Sequence, residues 1–141
     1  MKTQKLLALT LSMLFILSIV AVPVCAAVAP SLSPLWENTF QVWLAHQRID
    51  GYACCSVIIE GFTGTDKIDN VNITLSLVTG ANLVEIASWE GLSAIGDTFE
   101  FYDEIPNVPG GQVYRLNVTA DVHKDGYVES LDQYSDIRYN L

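Results

Sequence analysis

His46 and His123 are the two imidazoles of this 141-residue sequence, and a hydrolytic triad would have to use one of them as the base beside a nucleophile. Neither lies in a nucleophile motif such as GxSxG. His46 falls in an extended apolar stretch and His123 beside the turn Lys124-Asp125-Gly126, so both read as surface or edge histidines. Paired carboxylates are the other source of catalysis, and Asp103-Glu104, or Glu85 with Glu90, could serve glycoside chemistry. A domain this small rarely encloses a sugar-binding cleft, and the expectation is a protein that is not an enzyme.

Calcium takes several oxygen ligands, and the chain gathers them in loops: Asp66, Asp69 and Asn70 in one, with Asp97, Asp103, Glu104 and Asn107 flanking another. EF-hand spacing is absent. Solvated turn acids account for both clusters equally well, so Asp97, Asp103 and Glu104 stand as the calcium candidates while no cofactor is expected. Aromatic side chains supply the remaining candidates, because exposed rings stack on sugars or grip a protein partner. Trp43, Tyr52, Phe62, Trp89 and Tyr102 are numerous for so small a domain, and most should be core. Trp43, Trp89 and Tyr102 are the candidate binding residues. Asn72 and Asn117 head glycosylation sequons within extended segments.

Of three cysteines, Cys25 lies in the N-terminal apolar segment and Cys54 and Cys55 are neighbours. Adjacent residues have Cα atoms about 3.8 Å apart, below the usual disulfide range of about 4.4 to 6.8 Å, so the pair should not bridge. Along a strand their side chains point to opposite faces. Cys55 is expected in the core and Cys54 in solvent. A zinc site would need further ligands, and the two isolated histidines are the only imidazoles on offer.

Period-two alternation dominates after Trp36, and no helical stripe appears. The first strand candidate is Phe40 to Gln47, with Val42 and Leu44 on one face and Trp43 and His46 nearer the other. Asp50-Gly51 then signals a hairpin into Tyr52 to Glu60. GFTGTDK reads as a loop, and Val71, Ile73, Leu75 and Leu77 alternate with polar residues as a half-buried strand. After a turn at TGAN, Leu83 to Trp89 is strand-like but less regular, and Phe99 and Phe101 alternate within DTFEFYD. The PNVPGG turn precedes a strand with Tyr114, Leu116, Val118, Ala120 and Val122 on one face. Lys124-Asp125-Gly126 turns the chain into a last segment, Tyr127 to Tyr139, whose middle is expected to bend at a bulge. About seven short strands at this spacing imply an all-β, immunoglobulin-like antiparallel sandwich.

Export is written at the N-terminus. Lys2 and Lys5 precede an apolar run from Leu6 to Val24 that closes on small residues, the layout of a secretory signal with cleavage after Ala26. Residues 1–26 read as the signal peptide, 27–35 as an extended leader and 36–141 as the sandwich domain. Loss of the signal leaves 115 residues, one ordinary domain, and removes two of seven cations but none of the 16 acids, so the mature net charge is −11. Such a surface repels phosphate backbones and excludes nucleic-acid binding. The expected product is a secreted, extracellular binding module whose partner is a macromolecule or a glycan. The alternatives are an envelope-associated protein anchored by an uncleaved signal, the one case that involves a membrane, and a small extracellular enzyme.

Trp36 to Tyr139 resembles a group of small exported all-β proteins of Gram-positive anaerobic bacteria that have no assigned activity. The matching segments are GYACCSVIIEGFTGTDKI, ASWEG around Trp89, and GGQVYRLNVTADVHKDG. The chain departs from that group in being rich in acids where such proteins are rich in Ser and Thr. Immunoglobulin-like domains place a tyrosine where Tyr114 stands, its hydroxyl bonded back to the preceding connection. Cys55 and Leu116 match the two positions of their inter-sheet disulfide. The resemblance therefore implies an apolar Cys55–Leu116 contact in place of a bridge.

Overall fold

Alternating apolar residues build seven strands, and the computed structural model describes them within residues 36–141. The signal and leader expected over 1–35 lie outside the described residues. The strands are β1 (Thr39–Ile49), β2 (Tyr52–Gly61), β3 (Lys67–Thr79), β4 (Asn82–Ile95), β5 (Thr98–Ile105), β6 (Val113–Lys124) and β7 (Tyr127–Arg138). They form two antiparallel sheets, ordered β1-β2-β5 and β4-β3-β6-β7. Local turn chemistry makes two of the hairpins: Asp50-Gly51 and Asp125-Gly126 have positive φ at both residues, the type I′ geometry whose twist matches the strands it joins.

The core lies between the sheets. Ala53, Cys55, Val57 and Ile59 of the central strand β2 face Ile73 and Leu75 of β3 and Leu116 and Val118 of β6, all fully buried. At one end Tyr114 stacks on Tyr139 at 4.4 Å, and its hydroxyl donates to the carbonyl of Pro109, 3.0 Å away and five residues upstream. Trp36 packs against the core just before β1.

Four local expectations are corrected. Lys67 to Asn70 belong to β3 rather than to the preceding loop; a register shift with Asn70 at φ 48° turns both Ile68 and Val71 inward although they are three residues apart. β7 runs unbroken against β6 from Tyr127 to Arg138 with no bulge. Its polar inward positions, which look in sequence like a bend, take partners from β1 and the two residues before it: the Glu129 carboxylate accepts from backbone N–H groups of Glu37, Asn38 and Thr39, and the Ser135 carbonyl accepts from His46. His46 itself points inward with Val42 and Leu44 and is 2% exposed.

The fourth correction is Cys54, which is 3% exposed although its side chain leaves the core face. β2 is the middle strand of its sheet, so Cys54 is flanked by Gln47 on β1 and Glu104 on β5, and the Tyr102 hydroxyl hydrogen-bonds to it. Neighbouring side chains on both sides do the work that a second layer does for Cys55. Both thiols should therefore react with a thiol reagent at least about tenfold more slowly in the folded protein than in denaturant, as buried cysteines do. A single fast thiol in the native state would contradict this burial.

Candidate functional site

The outward face of the three-stranded sheet carries the site. Strand alternation puts Trp43, Ala45 and Gln47 of β1 on this face, with Cys54, Ser56, Ile58 and Glu60 of β2 and Glu100, Tyr102 and Glu104 of β5. The register sets these side chains in rows: Trp43, Ile58 and Glu100 in one, Ala45, Ser56 and Tyr102 in the next. Small residues in the second row leave a depression beside Tyr102. It is a shallow cleft of about 310 Å³ lined by Ser56, Ile58, Glu100, Phe101 and Tyr102.

Tyr102 is 53% exposed, and its hydroxyl donates to Glu104 two residues on. That hydrogen bond, with burial and then the Cys54 thiol adding to it, pushes the phenol well above its ordinary range and keeps it protonated. Glu60 on the same face accepts from the Gln41 amide. Trp43, Ser56 and Glu100 make no side-chain hydrogen bond to another described residue. The face thus offers an indole N–H, a hydroxyl and a carboxylate to a ligand, beside two aromatic rings.

The outward face of the four-stranded sheet differs, because its polar groups bond to one another. Lys67 and His123 both hold Asp69, the latter at 2.7 Å, and Asn70 and Ser130 hold Asp121. Arg115 grips Asp136 through two 2.7 Å bonds while lying 3.9 Å above the Tyr134 ring. These donors, Lys67, Asn70 and Arg115 foremost, hold the three carboxyls below the ordinary carboxylate range. Ser130 gives its hydrogen bond to Asp121 rather than to His123, so the His123–Asp69 pair is not assembled with that hydroxyl into a triad.

Of the candidate binding residues, Trp43 and Tyr102 share the outer face, whereas Trp89 does not. Its indole N–H donates to Asp103 at 2.8 Å and its ring meets Phe101 edge-on at 5.0 Å, which ties β4 of one sheet to β5 of the other. The calcium candidates are not brought together. Asp97 sits in the β4–β5 turn, about 20 Å along β5 from Asp103 and Glu104 at the usual strand rise. Asp103 turns to the seam and Glu104 to the outer face. Among the described residues no group of three His, Cys, Asp or Glu side chains is placed to hold a metal.

A smaller cleft of about 230 Å³ opens between β1 and β7 beside His46, Arg48 and Arg138. Its two guanidinium groups are engaged by the β5–β6 connection, Arg48 with the Val108 carbonyl at 2.8 Å and Arg138 with that of Gly111 at 2.9 Å. They fasten that connection to the strands. Sequence reasoning missed the roles of Ser56, Ile58 and Glu100. Their outward parity is legible, but the β2–β5 pairing that sets them beside Tyr102 joins segments roughly 45 residues apart. The chain matches no family model, no curated protein and no solved structure.

Proposed function

We propose that this chain is an exported, immunoglobulin-like domain that acts as a non-catalytic extracellular binding module through the outer face of β1-β2-β5. The strand order supports the immunoglobulin-like reading, because β1-β2-β5 and β3-β6-β7 match the A-B-E and C-F-G strands of such domains, although the fourth strand pairs with the third where the constant type pairs it with the fifth; the hydroxyl of Tyr114 on the Pro109 carbonyl supports it as well. Cys55 and Leu116, both fully buried in the same core, stand where such domains carry their bridge. The basic, apolar and small-residue segments of 1–26 support export.

One observation carries the binding reading: Tyr102 lines a cleft with Ser56, Ile58 and Glu100, Trp43 stands in the same row as Ile58 and Glu100, and neither Ser56 nor Glu100 bonds through its side chain to another described residue. Aromatic groups of this kind dominate binding energies where they fill or frame a pocket. The test is a pull-down from the native extracellular fluid with the wild type and with the double variant Trp43→Ala/Tyr102→Ala, after circular dichroism shows that the variant is folded. The partner retained by the wild type should bind the variant at least about tenfold more weakly. Equal retention by the folded variant would overturn this face as the site.

A further inference from the structure

We infer that the cleft beside Tyr102 takes a lysine or arginine side chain of a protein partner, with Glu100 as its counter-ion. This rests on the binding reading above and adds the chemistry of the ligand. Charge comes first. The outer face of β1-β2-β5 carries Glu60, Glu100 and Glu104, whereas the described cations lie elsewhere. Lys67, Arg115 and His123 are committed on the opposite sheet, Lys124 lies beside Phe62, and Arg48 and Arg138 hold loop carbonyls. With a chain net charge of −9, a cationic partner is drawn to this face and an anionic one is repelled.

Local geometry then selects where the cation sits. Glu60 takes a hydrogen bond from Gln41 and Glu104 one from Tyr102, which leaves Glu100 as the carboxylate of the three with no side-chain donor among the described residues. Trp43 and Tyr102 lie two strands and one row apart, so their Cα atoms are about 12 Å from each other by ordinary sheet spacings. An extended side chain lying in the cleft beside Tyr102 would run toward the row of Trp43, Ile58 and Glu100. Its methylene stem would lie along Ile58, and its charged head would reach Glu100 and a ring face, the arrangement in which cation–π attraction and an ion pair act together. The bond from Tyr102 to Glu104 fixes the ring before any ligand arrives, so little ordering remains to oppose binding.

The test is a titration of ¹⁵N-labelled protein with a short peptide of alternating Arg and Gly, beside an alternating Glu and Gly peptide and a neutral β-linked oligosaccharide. The indole signals of Trp36, Trp43 and Trp89 are distinguished by single Trp→Phe variants. The basic peptide should move the Trp43 indole and the Tyr102 and Glu100 amides in a saturable manner. Affinity should fall at least about tenfold in Glu100→Gln and again between about 0.1 M and about 1 M salt, as screening shortens. Glu90→Gln, which removes the same charge from exposed β4, should bind as the wild type does. Equal weakening by both variants would reduce the effect to overall charge and overturn the inference. Shifts at the same residues with the oligosaccharide, and none with the basic peptide, would overturn the cationic ligand and leave the binding face standing. No probe moving Trp43, together with full partner retention by the Trp43→Ala/Tyr102→Ala variant, would remove both.

Discussion

Replacing Glu129 by alanine is expected to destabilise the domain by about 3 kcal/mol, because one carboxylate completes the start of β1 and each hydrogen bond to a charged group is worth about 1.5 to 3 kcal/mol. The first residues of β1 have no strand partner on the side facing β7. Glu129 Oε1 accepts from the Glu37 N–H at 2.6 Å, and Oε2 accepts from the N–H groups of Asn38 at 3.1 Å and Thr39 at 2.8 Å and from the Thr39 hydroxyl at 2.7 Å. Glu37 is exposed and recovers a bond from water when the carboxylate is lost. Asn38 and Thr39 are buried and do not. Glu129→Gln should cost less, about 1 to 2 kcal/mol, since its amide oxygen still accepts while its NH₂ meets other donors. Urea unfolding measures this as a lower midpoint with an unchanged slope. A loss below about 1 kcal/mol for the alanine variant would mean that water satisfies these donors in the native state.

Acid should loosen the same seam from its other end, through His46. The imidazole Nε2–H donates to the Ser135 carbonyl at 2.9 Å, and Nδ1 accepts from the Tyr139 hydroxyl at 3.0 Å. That pattern describes a neutral ring. Burial holds the pKa of His46 below its ordinary 6.5, against the opposing effects of the Ser135 carbonyl and of Asp136. The unfolded chain therefore binds the proton first. Stability from this group is complete above pH 6.5 and is lost as pH falls from there through the folded value. Within that window each pH unit removes about 1.4 kcal/mol. Asp69, Asp121 and Asp136, whose pKa values lie below 3.8 in the folded state, yield their contributions only at more acidic pH. Unfolding midpoints should thus decline as pH falls below about 6.5, and the decline should be absent in a folded His46→Gln variant. A flat wild-type profile over that range would show that the ring is charged, or solvated, in the native domain.

Much of the strand architecture is a local property of this chain. Alternation over Tyr52 to Glu60, Val71 to Leu77 and Tyr114 to Val122 commits one side of each segment to burial, and Asp50-Gly51 and Asp125-Gly126 need no distant partner to form their turns. Because His46 is two residues from Leu44, its inward direction was available from the same rule, although its hydrogen bonds to β7 were not.

Parity says which way a side chain points relative to its own strand and nothing about what lies beside it. Cys54 points outward yet is buried, because β2 is a middle strand and Tyr102 leans toward it from β5. Trp89 joins the two sheets because β4 and β5 belong to different sheets although they are consecutive in the chain. The cleft of Ser56, Ile58, Glu100 and Tyr102 exists only once β2 and β5 pair. Short-range sterics and hydrophobic alternation determined the strands, the turns and the sidedness of each strand in the sequence itself. Which strands became neighbours, and so which groups share the outer face and the seams, was decided by the tertiary structure, because burying all the apolar faces together is a property of the whole chain.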